Sequence, residues 1–166
     1  MAGRRGSYIS HITDVKLRVR DIDALAEAAQ LCGLDLREQD RFAWWGVFMN
    51  DSKSYGELAP SEMGHCSYAM RVPDTDPKNG SIGPWEVGVV KAKDGDGYNL
   101  YYDTFGRAGK ALTDRVGRMA GHLRQEYAAA VVRRKTSKLM RDGFIASRFD
   151  EVLDGHRRVR IRLRRR

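Results

Sequence analysis

The hydrophobic patterns of this chain predict an α+β domain, a single ferredoxin-like sandwich in which an antiparallel sheet carries two main helices on one face. Three observations predict it. Helical spacing occurs twice, once after Asp21 and again from Leu112 onward. Period-two alternation marks the segments between and after these helices, and the turn "DGDG" joins two strand-like runs.

Residues 7–19 alternate apolar and polar through Ile12, Val15, Leu17 and Val19, with a slip near Asp14, and read as a first strand. Asp21 is an N-cap for "IDALAEAAQLC", where Ile22, Leu25, Ala26 and Ala29 repeat at helical spacing, and Gly33 stands where a left-handed C-cap belongs. Residues 34–48 are strand-like and aromatic, with Phe42, Trp44 and Trp45 together, and residues 50–64 have loop composition. "CSYAMRV" is a short strand ended by Pro73. "WEVGVVKAK" and "YNLYYDTF" are the arms of the Asp-Gly hairpin. Leu112, Val116, Met119, Leu123, Tyr127, Ala130 and Val131 then make one apolar stripe, which predicts a single long helix ending by Gly143. "FIASRFDEVL" and "RRVRIRL" around an Asp-Gly turn predict a final hairpin.

The 166 residues are 42% apolar and 31% charged, which suits one domain over residues 1–166 with a core that needs no disulfide or metal. An insert at about 45–64 and a basic strand or tail at 156–166 are its irregular parts. The sequence contains no run of eighteen apolar residues and no secretory pattern, so a cytoplasmic protein without a membrane span is expected.

Charge is unevenly placed. Residues 1–106 carry 12 Lys and Arg against 16 Asp and Glu, whereas residues 107–166 carry 18 against 6. An acidic partner is the natural expectation, nucleic acid first and an acidic protein surface second. The expected contacts are Arg157, Arg158, Arg160, Arg162, Arg164, Arg165 and Arg166, helped by Arg133, Arg134 and Lys138.

The stretch "TFGRAGKA" imitates a nucleotide-binding loop. Thr104 stands where the first glycine belongs and Ala111 where the magnesium-binding hydroxyl belongs, so nucleotide hydrolysis is not expected. A bare helix start near Arg107 and Lys110 could hold an anion. "KDGDGY" lacks the remaining ligands of a calcium loop and reads as a turn. No spacing of Cys32 and Cys66 matches zinc, and neither a cofactor nor a metal is expected. An enzyme built on His11, His65 or Cys66 is a minor alternative, because His65 and Cys66 are strand neighbours that point to opposite faces.

"CSYAMRVP", "WEVGVVKAKDGDGYNLYYDTFG", "HLRQEYAAA" and "DGHRRVRIRL", in that order, resemble a family of small uncharacterised proteins. That family was first listed as a hypothetical reading frame of algal chloroplasts and cyanobacteria, domain of unknown function twelve fifty-seven, and has bacterial and phage relatives. The opening "SHITDVKLRVRDIDALAEAAQLCGLDL" resembles the family's start. The match covers about two thirds of the chain and departs at the insert, the Pro-rich excursion before Trp85 and the arginine tail. It implies that Gly106 and Gly109 serve a sharp strand-to-helix turn and that Tyr127 is core. It implies no activity. Some members are encoded near ring-forming ATPases, which implies an accessory role.

The expected function is therefore that of a non-enzymatic accessory protein whose basic C-terminal third binds nucleic acid or a nucleoprotein complex. The alternative is a purely protein-binding adaptor, for example of a ring-forming ATPase, with Phe42, Trp44 and Trp45 as contacts.

Overall fold

The computed structural model describes residues 12–44, 58–73, 85–153 and 156–165. Strand β1 (Ile12–Val19) leads into helix α1 (Ile22–Leu31), followed by β2 (Asp35–Glu38), β3 (Tyr68–Arg71), β4 (Val87–Lys91) and β5 (Tyr98–Asp103). These five strands form one sheet in the order β1-β5-β4-β3-β2, and every neighbouring pair is antiparallel. Strands β2 to β5 are a meander, and β1 adds to the outside of β5. Helix α1 therefore carries the chain across the whole sheet from one edge to the other.

The first helix is delimited as its sequence predicts. Asp21 Oδ1 accepts the Ala24 N–H at 2.9 Å. At the other end Gly33 has φ +69°, the Gly33 N–H donates to Gln30 O at 2.9 Å, and the Leu34 N–H donates to Ala29 O at 2.8 Å. These are the paired carbonyl contacts of a Schellman turn, which a residue with a Cβ adopts poorly. The irregularity in β1 is a register shift: four steps from Val15 to Val19 match two on β5, from Leu100 to Tyr98.

The helical stripe predicted as one helix is divided into α2 (Gly106–Val116) and α3 (Gly121–Arg141) by a single 3-10 turn, Arg118–Ala120. Gly117, Met119 and Ala120 all have left-handed backbones, at φ +82°, +52° and +54°. A Cβ at Gly117 would lie 2.8 Å from the His122 backbone nitrogen, so the chain there turns too tightly for any side chain. The break reassigns the stripe. Met119, expected in the core, is 54% exposed, and Ala120 takes the buried place, while Leu112, Val116, Leu123, Tyr127 and Ala130 stay inside.

The sheet is covered on both faces. Its helical side packs Val15, Val19, Met70, Val87, Val89, Leu100 and Tyr102 against α1, α2 and α3. The opposite side carries a smaller cluster of Phe42, Trp44, Leu58, Met63, Ala69 and Tyr101. Each fully buried large side chain contributes about 1.5–3 kcal/mol. Tyr127 Oη accepts the N–H groups of Arg20 and Asp21, at 2.9 and 3.2 Å, and so ties α3 to the start of α1. Glu86, buried, accepts from Gln39 Nε2 and the Ala43 N–H and anchors the chain that enters the second cluster. The insert expected at 45–64 is not a separate appendage at its end, because Leu58 and Met63 are core; residues 45–57 lie outside the described residues.

Among the described residues, strands β6 (Phe144–Leu153) and β7 (His156–Arg165) pair only with each other and form a separate two-stranded antiparallel ribbon. The base of this ribbon packs on α3. No helix among the described residues is long and apolar enough to cross a membrane.

Candidate nucleic-acid interface

A β-strand alternates its side chains between two faces. In β7, Arg160, Arg162 and Arg164 therefore share one face, and Ile161 and Leu163 share the other. The register extends each face across the ribbon: Arg164 stands opposite Ile145 and Arg162 opposite Ser147, while Leu163 stands opposite Ala146. Ala146 and Ile161 line a cavity of about 210 Å³ together with Ala129, Val132, Arg133 and Thr136 of α3. The face that carries Ala146 and Ile161 thus meets the helix at the base of the ribbon, and Arg160, Arg162 and Arg164 lie on the other face. Arg160, Arg162, Arg164 and Arg165 are all exposed. The side chains of Arg157 and Arg158, and Arg166 altogether, lie outside the described residues.

Helix α3 divides the remaining expected contacts into two kinds. Arg134 reaches three carboxylates at the start of α1: Nε lies 3.1 Å from Asp21, Nη2 lies 2.6 Å from Asp23, and Nη1 lies 3.4 Å from Glu27. Arg133 Nη2 lies 3.4 Å from the other Glu27 oxygen. Both arginines, expected as nucleic-acid contacts, pair with carboxylates of α1 and tie α3 to it. Asp21 reports the same arrangement. Its carboxyl is held below the usual carboxylate range, first by the Ala24 N–H and then by Arg134, against the opposing effect of burial. Lys138 is exposed, and so are Lys135 and Arg141, two cations of the same helix. With Arg134 they line an open groove of about 890 Å³ that adjoins the cavity beneath the ribbon, since Arg133 and Ser137 border both.

At the start of α2, Lys110 Nζ sits 2.9 Å from Asp114, one turn along. Asp103 Oδ1 accepts the Phe105 N–H at 2.8 Å and brings its own carboxylate to the helix end. Arg107 is exposed. Gly109 has a reason unrelated to phosphate: a Cβ there would lie 2.2 Å from the Thr104 carbonyl carbon, so the glycine permits the close passage of helix over strand end. The expected anion position is thus already supplied with acidic groups.

Phe42 and Trp44, candidates for protein contact, are 2% and 6% exposed. The Phe42 ring lies flat over Gly88, where a Cβ would come within 2.3 Å of it. Neither aromatic presents a surface. Trp45 lies outside the described residues.

The cysteines are poor nucleophiles. Burial, reinforced by Glu86 and Asp40, pushes the Cys66 thiol up to about 12, and the thiol donates to Gln39 O at 3.1 Å. His65 Nε2 lies 3.0 Å from Arg41 Nη2. Burial and then Glu126 push Cys32 up to about 11. Cys32 Sγ is 3.9 Å from His122 Nδ1, but that nitrogen is nearer the Arg115 carbonyl, at 3.1 Å. Thiols of this basicity stay protonated near neutral pH. His11 lies outside the described residues, and among those described no group of three His, Cys, Asp or Glu is placed to hold a metal ion.

Lys135 and Arg141 were visible as helix cations, but nothing in their neighbourhood singled them out. The signal that could have separated Arg133 and Arg134 from them is the acidic start of α1, with Asp21, Asp23 and Glu27 within seven residues.

Fold and charge together define a class, an α+β sandwich with a basic helix and a basic β-ribbon at its C-terminal end. Set against family models, curated proteins and solved structures, the chain matches none.

Proposed function

We propose that this protein is a non-enzymatic accessory factor that binds nucleic acid, or a nucleoprotein complex, through the exposed cations of its C-terminal third. The observation that carries the reading is the gathering of exposed cations, with Arg160, Arg162, Arg164 and Arg165 on the ribbon and Lys135, Lys138 and Arg141 on α3. Arginine forks suit phosphate oxygens, and binding of this kind releases counterions from the polyanion.

The test is fluorescence anisotropy with labelled nucleic acid over a range of salt. If about five of these cations meet phosphates, the logarithm of the binding constant falls with the logarithm of salt concentration at a slope of about −4 to −5. A flat salt dependence, or no binding at low salt, overturns the reading. Cytoplasmic residence and the accessory role implied by the family resemblance accord with it. Native pull-down after nuclease treatment addresses the adaptor alternative, since a ring-forming ATPase or another protein partner survives that treatment.

A further inference from the structure

We propose that the cleft between α3 and the β6–β7 ribbon docks an acidic peptide segment of a partner protein, which buries one large apolar side chain in the cavity there and lays its carboxylates along Lys135, Lys138 and Arg141. This goes beyond the nucleic-acid reading and does not depend on it.

The cavity supplies the anchor site. Its walls are Ala129, Val132 and Thr136 of α3 with Ala146 and Ile161 of the ribbon, mostly small or aliphatic groups. At about 210 Å³ it is larger than the cavity of about 150 Å³ that takes up benzene in a protein core, so one leucine or phenylalanine side chain fits. Val132 is 36% exposed, which brings the cavity wall to the surface.

The groove supplies the charge. Arg133 and Ser137 border both the cavity and the groove of about 890 Å³, so the two form one depression along α3. Five cations line the groove against two carboxylates, Asp21 and Glu27. Arg133 and Arg134 pair with those carboxylates, and Lys135, Lys138 and Arg141 are exposed, so the groove is net basic. Asp142, also exposed, follows the helix and is not part of the groove wall. By register the ribbon face of Ile161 continues with Arg148 and then Asp150, one charge of each sign, which leaves the balance unchanged. Met140, 52% exposed on the groove wall, adds an adaptable apolar contact among the cations.

Spacing joins the two parts. Ala129, Val132, Thr136 and Met140 recur at steps of three and four, one stripe of α3 that runs from cavity to groove. From Ala129 to Arg141 the helix rises about 18 Å, the length of five or six extended residues at about 3.3 Å each. A single short segment therefore reaches both.

Nucleic acid makes poor use of the cavity. Bases bind by stacking on aromatic rings, and among the described residues no aromatic side chain lines the cavity or the groove. A phosphate backbone would meet the cations and leave the aliphatic walls unfilled. An apolar side chain flanked by carboxylates engages both.

The experiment selects a library of random twelve-residue peptides, displayed on phage, against the nuclease-treated whole protein; enriched peptides are then synthesised with a fluorescent label and measured by anisotropy. They should carry a large apolar residue within about three positions of at least two Asp or Glu. Changing that apolar residue to Ala should weaken binding about ten- to a hundredfold, the effect of burying one such side chain. Raising salt from about 50 mM to about 300 mM should weaken it severalfold. In Ala129→Leu, whose larger side chain occupies the cavity, the peptides with and without the anchor should bind alike. Far-UV circular dichroism confirms that this variant is folded, and the change made in the peptide needs no variant of the protein. No enrichment, enrichment of peptides without acidic residues, or binding indifferent to the anchor overturns the proposal. Loss of duplex DNA affinity in Ala129→Leu assigns the cavity to nucleic acid, and a dimer in sedimentation velocity that Ala129→Leu dissolves assigns it to a second copy of this chain; either result overturns the proposal as well. Failure of the nucleic-acid reading shows separately, as absence of salt-sensitive DNA binding, and leaves the peptide result standing.

Discussion

Phe42 and Gly88 make one fitted pair, and the fit predicts a change of sign. In the native protein a methyl group at position 88 would sit 2.3, 2.5 and 2.6 Å from three atoms of the Phe42 ring, well inside contact distance. Gly88→Ala must displace the ring or the strand, and overpacking of this kind costs about 1–3 kcal/mol. Phe42→Ala removes a 2%-exposed side chain from the cluster of Trp44, Leu58, Met63, Ala69 and Tyr101 and costs about 3–5 kcal/mol. Once the ring is gone the obstacle to a Cβ is gone too. Alanine is then the better strand residue, by about 0.5–1 kcal/mol of backbone entropy. Gly88→Ala should therefore destabilise the native protein and be neutral or stabilising in the Phe42→Ala background. Urea unfolding of the four proteins, read by tryptophan fluorescence and circular dichroism, gives the coupling directly. Trp44 lies in the perturbed cluster and reports on it. If Gly88→Ala has the same effect in both backgrounds to within about 0.5 kcal/mol, the Phe42 ring does not lie on Gly88 and its burial is not what holds this face together.

Three further predictions follow from the same contacts. Arg134→Gln should loosen α3 from α1 and lower the unfolding free energy measured in urea by up to about 1 kcal/mol, the worth of partly exposed ion pairs, while leaving nucleic-acid affinity within about twofold; Arg162→Gln should lower nucleic-acid affinity by more than that, so the two variants measured side by side separate scaffold arginines from contact arginines. Tyr127→Phe leaves the Arg20 and Asp21 N–H groups without their acceptor and should cost about 1–3 kcal/mol by chemical denaturation, with no change in the fold by circular dichroism. Because the Asp21 carboxyl ionises more readily folded than unfolded, its stabilisation is present above the ordinary carboxylate range and is lost as pH falls through its folded value; the melting-temperature gap between the native protein and Asp21→Asn should shrink on acidification below about pH 4, and a gap that widens there contradicts the capping role.

Local signals in this chain act over a few residues, and those determined by the sequence alone are of that range. Asp21 and Gly33 bracket α1 because a side-chain cap and a left-handed glycine act on the nearest backbone amides and carbonyls. The Asp-Gly turn fixes the β4–β5 hairpin, and Thr104 and Ala111 deny the following turn a nucleotide loop. The α+β sandwich with its antiparallel sheet and its helices on one face follows from the order of these elements. The charge asymmetry was equally legible, since it is a count.

Tertiary structure decided what depends on residues distant in the chain. Periodicity runs through Gly117 unbroken, yet the chain turns between α2 and α3 so that Ala120, not Met119, joins the core packed on the sheet. Aromatic density at Phe42 and Trp44 is the same whether the rings face a partner or the sheet; Gly88, more than forty residues away, supplies the flat seat that buries one of them. Arg134 and Arg162 are indistinguishable as letters. One meets Asp21, Asp23 and Glu27, and the other stands on the ribbon face opposite the one that meets α3 at its base. Composition sets how much charge a protein carries, but packing decides where each charge stands, because the carboxylates that Arg134 meets lie more than a hundred residues away in the chain.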